Sequence, residues 1–202
     1  HPLGLMRSKE KHVSPNFDRI ASFYRLLELI SFGPFLQRAR TAHLHELDQA
    51  SDVLLIGEGN GLFLKALLTV NPKCQVTCLD ASEAMLRLSR KRIARKEQDR
   101  VNFQCVDLTK GSLPLSKHDA IVTHFFLDCF NHDTLEILIP KIASTLQPQG
   151  KWLLADFKEP SRGGILSQFQ RIGLLLLYSF FRVSCGIETS VLHNPKKILF
   201  TN

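Results

Sequence analysis

"DVLLIGEGNGLFLKALL", residues 52–68, decides how the whole chain is read. Four apolar residues, Val53–Ile56, run straight into Gly57, Gly59 and Gly61 on alternate positions, and an apolar helical pattern resumes at Leu62. A short, continuously apolar run bounded by glycine reads as a strand buried on both faces. Glycine tolerates positive φ and lets a ligand approach the main chain without a Cβ in the way. A helix that starts directly after the turn offers free N–H groups and the positive end of its dipole. The unit is suited to a nucleotide-like or carboxylate-bearing ligand.

Outward from this unit, strands and helices alternate. The helix from about Leu62 to Val70 stops at Asn71-Pro72, and Val76–Leu79 is the next strand. Ser82 is placed as the N-cap of a helix running to about Gln98. Val101–Val106 alternates as a third strand, and "DAIVTHFF" from Asp119 is a fourth. A helical pattern covers Thr134–Leu146, with Pro140 marking a kink or a later start. "LQPQG" closes it, Gly150 being available for the turn, and Lys151–Phe157 is the fifth strand. Such alternation implies parallel pairing with right-handed crossovers. The expected fold is a doubly wound, Rossmann-like α/β sheet with helices on both faces. It is read as one domain over 15–202, made of a helical cap (15–48), a core (52–157) and a helical C-terminal segment (160–202). Residues 1–14 are read as a flexible N-terminus or an appended remnant.

At 202 residues and 44% hydrophobic, the chain can bury a sizeable core. Its longest apolar stretch, "IGLLLLYSFF" (172–181), is too short for the roughly 20 residues of a membrane span, so it reads as a buried or lid helix. Cys74, Cys78, Cys105, Cys129 and Cys185 form no CxxC pair, which points to reduced thiols in a cytoplasmic protein rather than a disulfide frame or a metal site. Of the net charge of +7, residues 83–100 supply +4, from seven Lys/Arg against three Asp/Glu. Met85, Leu86, Ser89 and Ile93 form the apolar stripe of that helix, so its basic residues read as a solvated face. No aromatic residues interleave them as a base-stacking surface requires, which argues against nucleic acid.

Dinucleotide binding asks for G-x-G-x-x-G, and the third glycine position here is Leu62. That disfavours an NAD(P) oxidoreductase. The second strand ends at Asp80, 19 residues after Gly61, where a carboxylate accepts both hydroxyls of a ribose. The third ends at Val106-Asp107, where one could accept from an adenine amino group.

Over residues 15–160 the chain resembles the class I S-adenosylmethionine-dependent methyltransferases, small-molecule type. "VLLIGEGNG" is similar to the family's first motif, "CLDASEAML" to its second and "CVDL" to its adenine-contacting one. "LQPQGKWLLADF" resembles its loop and fifth strand, and "FDRIASFYRLLE" an N-terminal helix that closes over the cofactor. The resemblance implies S-adenosyl-L-methionine as cofactor and S-adenosyl-L-homocysteine as product. It sets Gly57, Glu58, Gly59, Asn60 and Gly61 against the methionine part. Asp80 would hold the ribose with Ala81 and Met85 alongside, Asp107 and Leu108 would flank the adenine, and Thr123, His124 and Phe126 would border the methionine end. Tyr24 would stack over the cofactor, or serve as a polar-tipped member of a core stripe. Two positions depart from the pattern. Leu55 stands where an acidic residue is frequent, and Glu58 stands where a small one is usual; Glu58 binds the cofactor's ammonium or fixes the loop. The family's terminal antiparallel strands are missing after Leu199, so the sheet edge is read as truncated or covered by a partner or a second copy.

The implied reaction is in-line methyl transfer from a sulfonium, for which alignment and water exclusion are the main tasks. A general base is needed only where the acceptor loses a proton. His124 and Asp128, in "THFFLDCF", are the catalytic candidates; each also has a plain reading, as a loop histidine and as a turn or capping residue. Phe125, Phe126, Phe130, Phe157 and the 166–181 helix make the acceptor side apolar, which suits a small hydrophobic or aromatic molecule. The rival readings are an RNA-modifying methyltransferase using the basic 83–100 helix, and a non-catalytic subunit of this fold completed by a partner.

Overall fold

The computed structural model describes residues 33–114 and 116–156. Five strands, β1 (Asp52–Ile56), β2 (Gln75–Asp80), β3 (Val101–Cys105), β4 (His118–His124) and β5 (Leu146–Ala155), form one sheet in the order β3-β2-β1-β4-β5. Every pairing is parallel, and Val53 sits opposite both Val76 and Ala120. The chain winds outward from β1 to β3, then returns to the other side of β1 for β4. The order therefore reverses between β1 and β4, where open α/β sheets leave a crevice at the carboxyl ends of the strands.

The continuous apolar run of β1 serves two cores. Val53 and Leu55 pack with Phe63, Leu64 and Leu67 of α2 (Leu62–Val70) and Leu86 of α3 (Glu83–Arg92). Leu54 and Ile56 face the other way, onto Leu135, Leu138, Ile139 and Ile142 of α4 (His132–Ala143). Helix α1 (Gly33–Thr41) precedes the sheet, and the 3₁₀ turn Leu44–Leu47 sends Leu44 and Leu47 into the first core. The Asn71-Pro72 stop is built by one side chain: Asn71 Nδ2 donates to the carbonyls of Leu47 and Ala50, while its Oδ1 accepts from the amides of Lys73 and Cys74.

Several boundaries differ from the sequence expectation. Helix α3 begins as expected, with Ser82 Oγ accepting from Met85 N at 3.2 Å, but it ends at Arg92. Ile93 takes an extended backbone (φ −90°, ψ 153°) and drops into the first core, and Arg95–Arg100 forms a separate 3₁₀ turn. Burial of one isoleucine outweighs the helical propensity of the basic run after it. Helix α4 starts at His132, capped by Asn131, whose Oδ1 accepts from Thr134 N. Pro140 lies in its closing turns, where the missing amide interrupts a single bond. Strand β5 begins already at Leu146, because the segment expected to be a turn is a bulge: Leu146 pairs with His118 and Lys151 with Ala120. The left-handed residue there is Gln149 (φ 68°), not Gly150. A Cβ on Gly150 would stand 2.9 Å from the Gln147 backbone carbonyl oxygen, so close approach to main chain is what requires that glycine.

No described helix is long and apolar enough to cross a membrane. Cys74 and Cys78 are buried and Cys129 is half-buried, while Cys105 is exposed at the end of β3; all four are free thiols. The 1–14, 15–32 and 160–202 segments, with Tyr24, Phe157, Cys185 and the 166–181 helix, lie outside the described residues.

Candidate functional site

The turn after β1 is strained in the way its glycines allow. Gly57, Gly59 and Gly61 have φ of 66°, 74° and 84°. Their surroundings differ. A Cβ on Gly57 would collide with the ring of Phe126, and one on Gly61 would lie 2.6 Å from Ser89 Cα of α3. A Cβ on Gly59 would meet nothing within 4 Å among the described residues. Gly57 and Gly61 thus serve packing between protein elements, and Gly59 leaves a bare main chain facing open space.

Asp80 is aimed at this turn. Its Oδ2 accepts from Gly59 N at 3.1 Å and its Oδ1 from Ser82 N at 2.9 Å. The ladder continues beyond the strands, from Gly57 N to the Leu79 carbonyl (2.8 Å) and from Val106 N to the Asp80 carbonyl (2.9 Å). Burial pushes the Asp80 carboxyl up to about 6, against the pull of the Ser82, Gly59 and Ala81 amides. Ala81 is exposed beside it and Met85 is buried below. Asp107 accepts from Thr109 N (3.0 Å) and Thr109 Oγ1 (2.6 Å) and pairs with Lys110 at 3.3 Å. Partial burial works against its charge, but the Thr109 and Lys110 contacts win and hold it below the ordinary carboxylate value. Leu108 is buried next to it.

The helix N-terminus is not left free for a ligand. Glu58 folds back over it: Oε1 accepts from Phe63 N (2.8 Å) and Leu64 N (3.0 Å), and Oε2 from Gly61 N (2.5 Å) and Ser89 Oγ (3.3 Å). Asn60, 4% exposed, takes the Leu62 amide through Oδ1. The first turn of α2 therefore carries its own anion. Glu58 as a whole is only partly buried, yet its carboxylate is enclosed enough that burial pushes it up to about 7, offset by the Leu64 amide, the Arg40 charge and the Gly61 and Phe63 amides. Of the two roles open to Glu58 in the sequence, the geometry is that of fixing the loop.

The two catalytic candidates lie at the end of β4 and in the turn that follows it. His124 lies on the α2 face of the sheet, its ring edge-on to Phe63 with centroids 4.7 Å apart. Burial and then the Arg40 charge press it down to about 4, so the imidazole is neutral near pH 7. Thr123, fully buried, uses Oγ1 to accept the Trp152 indole N–H at 2.9 Å. Asp128 lies buried in the 3₁₀ turn Leu127–Cys129, between Phe126 and Phe130, whose rings pack edge to face. Its neighbour is Asp156, directly after β5.

Sequence reasoning missed two residues here. Asp156 ends a strand just as Asp80 does, and that position was its signal. Both its carboxyl oxygens are buried against the Phe125, Phe126 and Asp128 amides, near them but short of full hydrogen-bond geometry. Burial and then the charge of Asp128 push it up to about 8, against the pull of those amides. Its folded value lies above the unfolded one, so the linked stability is complete below about pH 4 and is lost as pH rises through about 8. Asp156→Asn is expected to be more stable than wild type at pH 8.5 by at least about 2 kcal/mol, and equal to it within about 0.5 kcal/mol at pH 4. Urea unfolding at the two pH values checks this; a variant weakened equally at both would contradict it. The second missed residue, Arg40 of α1, is 7% exposed and has no sequence signal, since Arg38 and Arg40 look alike in an amphipathic helix.

The basic segment is partly used inside the fold. Arg92 Nε donates to the Asn60 carbonyl (2.8 Å), Arg100 to the Cys74 carbonyl (3.1 Å), and the Arg90 guanidinium stacks 4.9 Å from the Phe103 ring centroid.

Residues 53–150 match the family model of a methyltransferase domain. A malonyl-[acyl-carrier protein] O-methyltransferase of Priestia megaterium is 30% identical over 110 residues, 54% of this chain and 38% of that protein. A ubiquinone/menaquinone biosynthesis C-methyltransferase of Pseudomonas putida is 27% identical over 157 residues, 76% of this chain and 60% of that protein. The S-adenosylmethionine-dependent methyltransferase SibL, solved in its apo form, matches with a TM-score of 0.60 at 25% identity, over 76% of this chain and 44% of that one. The chain thus spans 38% and 60% of the length of these two curated relatives. Together with a 3-2-1-4-5 parallel sheet and a glycine turn tied to a strand-end carboxylate, this match identifies residues 53–150 as a methyltransferase domain of the class I S-adenosylmethionine-dependent type.

Proposed function

We propose that the chain binds S-adenosyl-L-methionine at the carboxyl rim of β1, β2 and β3 and transfers its methyl group to a small hydrophobic or aromatic molecule. The observation that carries this is the bond from Gly59 N to Asp80 Oδ2, beside a glycine whose Cβ position is open. A ligand that lies on bare main chain and donates hydroxyls to a carboxylate fits that pairing, as a ribose does. Gly57, Glu58, Gly59, Asn60 and Gly61 shape the methionine end, Gly59 by contact and Glu58 by closing the helix terminus behind the loop. Asp80 accepts from the ribose, with Ala81 and Met85 beside it. Asp107 and Leu108 border the adenine, and Thr123 and Tyr24 complete the set. When bound, the cofactor supplies a methyl group on a sulfonium, already activated for transfer.

What remains for the protein is to align the acceptor, keep water out and handle a proton where one is released. Phe126 and Phe130 offer the acceptor an apolar wall. Asp128, with Asp156 next to it, is the candidate for receiving a proton. His124, packed on Phe63 and neutral, acts by shape. An RNA acceptor fits poorly, because Arg90, Arg92 and Arg100 are already engaged within the fold.

Calorimetric titration of the wild-type chain with S-adenosyl-L-homocysteine tests the reading. Micromolar affinity is expected, about −8 kcal/mol. No heat at any pH between 6 and 8.5, with the chain shown to be folded, would end the cofactor assignment.

A further inference from the structure

The search for chemistry outside the cofactor contacts leads to the buried charges on the α2 face. Arg40, Glu58 and His124 line one pocket with Leu55, Ile56, Phe63 and Val122, enclosing about 10 Å³, room for about one water. These groups come from α1, the glycine turn and the end of β4. Arg40 acts on Glu58 and on His124 electrostatically, and its guanidinium stands 5.4 Å from the ring centroid of Phe125. Phe125 is strained, with φ 53°, and donates its amide to the Ala155 carbonyl at 2.6 Å. A single side chain from α1 thus reaches both loops that flank the switch in strand order.

Burying a guanidinium is costly, and an apolar residue of similar volume commonly serves stability as well or better. Packing of α1 alone therefore does not account for Arg40, and the ionisable groups among the described residues that share its pocket are Glu58 and His124. A carboxylate enclosed like Glu58 takes up a proton unless something favours its charge, and a protonated carboxyl loses much of its strength as an acceptor from amides. The Gly61, Phe63 and Leu64 amides would then be left short of an acceptor, and the turn that presents Gly59 would loosen.

We propose that Arg40 is a positioning residue for the cofactor turn: from α1 it holds Glu58 as a carboxylate on the α2 amides, so that docking of the N-terminal helix and the ligand-ready shape of Gly57–Gly61 are one event. This rests on the cofactor reading above and adds to it a route by which the N-terminal helical segment governs affinity. Arg40 belongs to neither the contact set nor the proton-handling pair. Among the described residues the groups facing Glu58 are Arg40 from α1, His124 from β4, Cys78 from β2 and the Ser89 hydroxyl from α3, with Asp80 on the adjoining Gly59 amide. Cys78, whose thiol is pushed up by burial and then by the Glu58 charge, and His124, held neutral, add no positive charge near pH 7.

The test follows the Glu58 carboxyl by carbon NMR through a pH titration, its signal identified by its loss in Glu58→Gln, beside calorimetry with S-adenosyl-L-homocysteine at pH 6 and pH 8. The wild-type midpoint is expected near 7 and to fall by at least about half a unit on saturation with the ligand, since binding favours the ionised form. Arg40→Gln should raise the midpoint by at least about half a unit and weaken binding at pH 6 by up to about threefold with little change at pH 8, and Arg40→Lys should restore most of both. A midpoint that moves neither with the ligand nor in Arg40→Gln overturns the proposal; the wild-type measurement decides if Arg40→Gln does not fold. A midpoint that shifts in Arg40→Gln with affinity unchanged would reduce Arg40 to a structural latch. Wild type that titrates as described but binds no ligand at either pH would refute the cofactor reading, and the positioning role with it, while leaving the Arg40–Glu58 coupling intact.

Discussion

Gly61→Ala is expected to destabilise the fold by about 3 kcal/mol, and Gly59→Ala by about 1 kcal/mol, although both glycines have positive φ. The left-handed backbone costs an alanine about 1–2 kcal/mol at either place. At Gly61 the new methyl also meets main chain: Ser89 Cα at 2.6 Å and Ser89 Oγ at 2.9 Å. Neither the α2 start nor the α3 backbone can yield without dragging Leu64 and Leu86 out of the first core, which adds about 1–3 kcal/mol. At Gly59 the methyl enters open space. Its cost appears elsewhere, as a loss of at least about tenfold in affinity for S-adenosyl-L-homocysteine, because that space is the ligand's approach. Urea unfolding and calorimetry on the two variants separate the effects. Equal destabilisation at both positions would show that contact with Ser89 is not what requires Gly61.

Asp80→Ala is expected to weaken S-adenosyl-L-homocysteine binding by about ten- to a hundredfold, roughly 1.4–2.8 kcal/mol. Two losses combine. The ribose hydroxyls lose a charged acceptor, worth about 1.5–3 kcal/mol, and the Gly59 amide, bonded to Asp80 at 3.1 Å, loses the partner that orients it. The pH dependence has a definite sign. Burial raises the Asp80 carboxyl to about 6, so the anion that accepts the hydroxyls is present above that value and is lost below it. Wild-type affinity should fall as pH drops through about 6, and Asp80→Ala should lack that component. An affinity changed less than threefold in Asp80→Ala would place the ribose elsewhere on the rim.

Much of the fold was legible along the chain because its determinants are local. Val53–Ile56 is apolar without interruption, and the structure shows why: alternate residues feed two cores. Helix α2 starts and ends where the glycine turn and Asn71-Pro72 place it. Ser82 caps α3 as read. The boundaries that moved did so for non-local reasons. Ile93 ends α3 because the first core accepts it, and the 146–150 segment joins β5 because the edge of β4 was there to pair with. Neither cause is visible from neighbours in sequence.

The site divides in the same way. Spacing along the chain was enough to show that a bare turn follows the first strand and that Asp80 and Asp107 stand at or just past the ends of the next two, since strand ends of a parallel sheet necessarily share one rim. What those groups do to one another came from packing. It turned Glu58 back onto the α2 amides, packed His124 on Phe63, set Asp156 against Asp128, and drove Arg40 from α1 into the switch point. Each of these is a matter of charge and burial between segments far apart in the chain. Such interactions depend on distance in space rather than along the chain and leave no periodicity behind, so spacing could announce the turn but not the company it keeps.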